Sequence, residues 1–543
     1  MKSTLLARRR VLVAVGLLGA IGAAAPAAGQ EPTGLRVAAL FADHMVLQRN
    51  QPLPVWGWAP QGARVVVKLG DATATAVATG PDGRWTATLP AMPAGGPMTM
   101  TISDVSNAVG QTLTVQDILV GEVWVCSGQS NMVWRLELTD GASQAIEAAS
   151  DDALRVFTVA QACRPDGPAM DCRGAWTPST PRTAAKSSAV AWYFGRRLRA
   201  ELDVPVGLIV TAVGGTPAES WTSREALATH APSDEFARWW ERRAAQWDEQ
   251  AETARYQQQV AQYEQRLAAF EAAATQPATA PAEGATQPAR PAPPRRPENP
   301  LTSPWHPSTL YNGMVAPLIP YGIRGAIWYQ GESNAGRADA YHGLFTTMIR
   351  DWRHRWGQGD FPLYFVQLAA YGQPGQTAWA WLREAQTRTL AEPNTGMAVT
   401  IDIGDPANIH PGNKRDVGDR LALWALAGTY GRTLVYSGPL YASMAVEGAA
   451  VRLRFDHDAG GLTTSDGRAP GEFLIAGADQ AFVPARARIE GRTVVVWSDD
   501  VPQPQAVRYA WASAPRQANL TNQAGLPASP FRTDQWPQTK DPQ

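Results

Sequence analysis

The sequence predicts an α/β protein built on a parallel sheet and flanked by all-β regions, and three observations carry that expectation. Short, unbroken apolar β-runs at 123–126, 206–213, 325–329, 362–368 and 396–401 are separated by stretches long enough for helices, the pattern of parallel strands buried on both faces. Residues 35–115 read as alternating or β-branched runs such as Ala63-Arg64-Val65-Val66-Val67-Lys68, cut by the turn signals Pro81-Asp82-Gly83 and Ala94-Gly95-Gly96. Strand patterning returns after Tyr430, in Ala450-Val451-Arg452-Leu453-Arg454-Phe455 and Arg492-Thr493-Val494-Val495-Val496-Trp497. The expected organisation is an N-terminal β-domain over 33–115, a parallel-sheet domain over 116–430, a C-terminal β-domain over 431–533 and a tail over 534–543.

Arg8-Arg9-Arg10, the apolar run 11–22 and the small residues Ala27-Ala28-Gly29 have the layout of a signal peptide over 1–29, and the arginines also fit a twin-arginine signal. Export to the periplasm or the cell exterior follows. An exported chain can hold a disulfide, for which Cys163 and Cys172, flanking a short Pro/Gly-containing loop, are the candidates; Cys126, within an apolar run, reads as a buried thiol. No later run approaches the ~20 apolar residues of a membrane span. With 48 Lys+Arg against 49 Asp+Glu, the formal net charge of -1 gives no basic field to hold nucleic acid.

The region 230–300 interrupts the strand-helix rhythm. Residues 233–273, rich in Ala, Glu, Gln and Arg, read as a helical arm packed by Trp239-Trp240, and 275–300, rich in Ala, Pro, Thr and Gln, as a mobile linker.

In an open parallel sheet the ligand site forms beyond the carboxyl ends of the strands. The segments there are small and polar: Ser127-Gly128-Gln129-Ser130-Asn131-Met132, Gly214-Gly215-Thr216-Pro217-Ala218-Glu219-Ser220-Trp221, Trp328-Tyr329-Gln330-Gly331-Glu332-Ser333-Asn334, and Asp402-Ile403-Gly404-Asp405 leading to Asn408-Ile409-His410-Pro411. A serine at a strand-to-helix turn exposes its hydroxyl, but that hydroxyl is a weak nucleophile until a base takes its proton. Ser130 occupies such a turn, and His410, one of only 7 histidines, follows the last strand. No Cys, His and carboxylate spacing suggests a metal site, and no phosphate-binding glycine loop is present, so no cofactor is expected.

These four blocks, in this order, resemble the sialate O-acetylesterase family of the SGNH hydrolases, which also include acetyl-xylan esterases. The resemblance extends over most of the chain, from Leu35 to the Leu382-Arg383-Glu384-Ala385-Gln386 segment and beyond. It implies a flavodoxin-like three-layer α/β/α domain with five parallel strands, and a secreted serine esterase that removes O-acetyl groups from sugars. Ser130 would be the nucleophile and His410 the base, with an oxyanion hole drawn from the backbone of Ser130, Gly214 and Gly215 and from the side chain of Gln330 or Asn334. SGNH hydrolases commonly carry Asp three residues before the histidine; here Ala407 stands there, so Asp405 is the candidate to orient the imidazole, and Asp402, Asn408 or a backbone carbonyl the alternatives. Asn131, Glu332, Trp328 and Arg383 are the candidates for the sugar side. An exposed Trp face stacks on sugar rings, Arg383 or Arg337 would meet a sialate carboxylate, and Glu332, unable to donate when ionised, would orient its neighbours. The sugar itself is left open between acetylated sialate and acetylated xylan or another polysaccharide. The missing Asp also leaves room for a weakly active or inactive SGNH-fold carbohydrate-binding protein.

Overall fold

The structure is a computed structural model that describes residues 34–106, 110–274 and 289–537; the expected signal peptide lies outside the described residues. Its centre is a sheet of β1 (Thr112–Gly128), β2 (Asp151–Thr158), β3 (Trp176–Ser179), β4 (Val206–Ala212), β5 (Gly325–Tyr329), β6 (Leu363–Val366) and β7 (Thr395–Ala398), in the spatial order β3-β2-β4-β1-β5-β6-β7. All neighbours are parallel except β3, which closes one edge antiparallel to β2. The five runs expected as strands are β1, β4, β5, β6 and β7. Among the described residues there is a sixth parallel strand, β2, which the apolar-run criterion passes over because it opens Asp151-Asp152 and carries Arg155 inward.

Helices cover both faces. On one face Trp124 of β1 packs edge-on against Phe194 of α2 (Ala189–Leu202), with ring centroids 5.1 Å apart. On the other, Trp328 of β5 stacks on Phe345 and meets Trp352, both from α5 (Ala338–Trp356). Side chains alternate across a strand, so these two tryptophans mark the two buried layers.

β1 is 17 residues long, and its first half pairs with Gly95–Asp104 and Val46–Gln48 before its second half enters the parallel sheet. The boundary expected at 115/116 therefore falls inside a continuous strand. One apolar cluster runs from Leu35 through the central sheet to Leu426, so the N-terminal β-region shares its core with the parallel sheet. The C-terminal β-region has a separate core, built from Val451, Leu453, Phe473, Ile475, Val494, Val496, Tyr509 and their neighbours.

The inserted arm is α3 (Ala231–Ala245) followed by α4 (Glu249–Ala274). α3 is anchored by buried Ser233 and Ala237, whereas α4 has no buried residue and only a half-buried stripe of Tyr256, Val260, Tyr263, Leu267 and Phe270. In the part of the expected linker from 289 onward, Pro291, Pro294 and Pro297 are half-buried, and Arg290 comes within 3.8 Å of Glu271.

Candidate active site

The carboxyl end of β1 is shaped by Gly128, whose φ of +140° and close neighbour exclude a side chain: a Cβ there would lie 2.2 Å from the Tyr329 carbonyl of β5. Gln129 N–H donates to that carbonyl at 3.0 Å, and Ser130 opens the short helix α1 (Ser130–Val133). Gly214, following β4, is exposed beside the serine; a Cβ on it would lie 3.5 Å from the Ser130 Cβ. Among the described backbone hydrogen bonds none uses the N–H of Gly214 or Gly215.

His410 Nε2 lies 2.8 Å from Ser130 Oγ, joining residues 280 positions apart. The His410 ring stacks on Trp134, with centroids 4.7 Å apart and planes 12° apart, and its backbone N–H donates to Asn408 Oδ1. Burial, with a smaller contribution from the Lys414 charge, holds the imidazole below the ordinary histidine range. It is therefore neutral, and able to accept a proton, at neutral pH.

Behind this pair lies a network that the sequence reading only touched. Asn131 donates its amide to Glu332 Oε1 (2.6 Å) and to the Ile409 carbonyl (3.0 Å), while its oxygen accepts from Lys414 Nζ (2.7 Å). Lys414, fully buried, also donates to the Pro411 carbonyl at 2.6 Å. The network thus ties the turn after Ser130 to both neighbours of His410. Burial pushes Glu332 up and Lys414 down, to about 7, and each opposes the other's shift through its charge. Glu332 Oε2 is buried with no partner among the described residues. Sequence reasoning missed Lys414, and a signal was present: it is one of five lysines among 48 basic residues, placed four positions after His410.

Several expected roles are corrected by the geometry. Asp405 closes its own turn, its carboxylate accepting from Ala407 N–H and its carbonyl from Asn408 N–H, while Asp402 is forked onto Arg420; no described hydrogen bond or ion pair joins either to His410. Gln330 donates to the Thr216 carbonyl and to Asn334 Oδ1, and Asn334 donates to Glu219 Oε2, so both amides brace the glycine turn rather than face the serine. Trp328 is a core residue, sandwiched as described above, and Asn131 is enclosed by its framework partners. Arg383 is fully buried and donates to the carbonyls of Leu368, Ala369, Ala512 and Ser513, which removes it from any substrate. Arg337 is paired with Glu219. Cys163 and Cys172 are free thiols that face different neighbours: Arg164, beside Cys163, bonds the Thr309 carbonyl, while Cys172 N–H joins Ala39 N–H on the Asp171 carboxylate.

Residues 120–276 and 299–426 match the carbohydrate esterase, sialic acid-specific acetylesterase family. The chain belongs to this family. The esterase is 31% identical over 446 residues to a sialate O-acetylesterase of Rattus norvegicus, covering 75% of this chain and 76% of that one. It is 30% identical to the sialate O-acetylesterase of Homo sapiens over 75% of this chain and 73% of that one. Among solved structures it is similar to a carbohydrate acetylesterase from Xanthomonas citri, with a TM-score of 0.76 and 37% identity over 92% of this chain and 100% of that one. It is a carboxylic ester hydrolase. Among the described residues no helix is long and apolar enough to cross a membrane.

Proposed function

We propose that the esterase removes O-acetyl groups from sugars through an acetyl-serine intermediate. The observation that carries this reading is the 2.8 Å contact between Ser130 Oγ and the half-buried His410 at the carboxyl end of a parallel sheet. The five expected strands stand in the spatial order second, first, third, fourth, fifth, which supports an SGNH-type, flavodoxin-like domain. Ser130 Oγ attacks the acetyl carbonyl as His410 Nε2 takes its proton. The resulting oxyanion is held by the N–H groups of Ser130 and of Gly214 or Gly215. His410 then gives the proton to the leaving sugar oxygen; water, deprotonated by the same nitrogen, attacks the acetyl-serine, and His410 returns that proton to Ser130 Oγ as acetate leaves.

Lys414 acts here as a positioning residue. Its ammonium grips the Asn131 oxygen on the nucleophile side and the Pro411 carbonyl on the histidine side, so it fixes their separation without touching substrate. No carboxylate orients the imidazole in this reading; the Trp134 stack restrains the ring, and Asn408 holds the His410 backbone. The test is acetate release from acetylated xylan, an O-acetylated sialic acid and p-nitrophenyl acetate by wild type, Ser130→Ala and His410→Ala. Loss in both variants supports the acetyl-serine route. Full activity in Ser130→Ala refutes it.

A further inference from the structure

In the proposed reaction the leaving sugar must sit where His410 can protonate its oxygen, and His410 lines an open, polar cleft of about 500 Å³. Its walls include Trp134, Asp140, Asp405, Asn408 and Asn413, together with His410 itself. No Arg or Lys lines it. Asp140 is exposed and has no ion-pair partner among the described residues, and Asp405 is held only by the backbone of its own turn. Lys414, buried and held by Asn131 and Pro411, feels the charge of Asp140, and Arg420 is forked onto Asp402. Arg383 and Arg337, the two cations that could have met a sialate carboxylate, are bound to backbone carbonyls and to Glu219.

We infer that this cleft receives the sugar of an uncharged O-acetylated saccharide, and that Asp140 and Asp405 select against a sugar bearing a carboxylate. Carboxylates accept hydrogen bonds from sugar hydroxyls, Asn408 can donate through its amide nitrogen while its oxygen accepts from His410 N–H, and the half-buried Trp134 presents an apolar wall. The same two carboxylates repel a third one brought among them, the more so where low-dielectric walls limit screening. The inference rests on the esterase reading and narrows its substrate.

The deciding measurement compares kcat/KM for an O-acetylated sialic acid with that for its carboxyl methyl ester, which keeps the acetyl group and removes the charge. At low ionic strength wild type should favour the methyl ester by about tenfold, the advantage shrinking in 0.5 M salt, as a charge effect must. Asp140→Asn should cut the preference about threefold. Equal or faster turnover of the free acid would overturn the inference, as would a preference untouched by salt and by both Asp140→Asn and Asp405→Asn. Hydrolysis of p-nitrophenyl acetate by wild type and by Ser130→Ala, run alongside, reports on the esterase reading separately, because that substrate carries no sugar.

Discussion

In the proposed reaction, proton transfer from Ser130 to His410 needs a neutral imidazole, which burial favours. The acidic limb of kcat/KM should therefore fall below the ordinary histidine value of about 6.5, as a pH–rate profile will show. Lys414 adds to this with its positive charge. Replacing it by Met removes a cation that disfavours imidazolium, so the acidic limb should move to higher pH while kcat falls; a lysine serving only the fold would lower activity without moving the limb. Ser130→Ala and His410→Ala should each reduce kcat by about 10³-fold or more, with the fold unchanged by circular dichroism. At this scale the sequence singled out Ser130 and His410, which the fold brings together, but not the residues around them. Asp405, Arg383 and Trp328 carry suitable chemistry in suitable blocks, yet side-chain direction and burial, which no one-dimensional spacing encodes, aim them elsewhere.

Elements position those residues through a few backbone demands. Gly128 holds φ of +140° against the Tyr329 carbonyl, so Gly128→Ala must either strain the turn or separate β1 from β5. A loss of about 1–3 kcal/mol, read by denaturant melts, should accompany a displaced serine and a fall in kcat. The arm is different in kind. α4 buries nothing fully, while α3 is anchored, so excising 250–296 and bridging the gap with a Gly/Ser linker should leave the melting temperature and p-nitrophenyl acetate hydrolysis intact. A large fall in melting temperature would mean that the arm is structural. Helical composition made α4 legible, whereas proline-rich text excludes helix and core without saying what the segment packs against.

At the level of the whole molecule, Arg383 joins the parallel-sheet domain to the C-terminal β-region. Its guanidinium bonds two carbonyls of its own domain and those of Ala512 and Ser513, close to where Gln367 meets Ser529 and Arg532 meets Glu384. Arg383→Met would strand these buried carbonyls at about 1–3 kcal/mol each. The separate C-terminal core should then melt on its own, splitting one calorimetric transition into two. No such split can be expected between the N-terminal β-region and the central sheet, because β1 and a common apolar cluster make them one cooperative unit. By itself the sequence pointed to the parallel strands of the central sheet and to Ser130 and His410 beyond their carboxyl ends, since strand periodicity and glycine turns are local properties of the chain. Tertiary structure alone decided that β1 fuses two regions, that Lys414 grips both halves of the pair, and that the acids near His410 face a cleft rather than its ring. Those outcomes depend on which distant side chains compete for the same buried volume and hydrogen bonds, and that competition exists only once the chain has closed on itself.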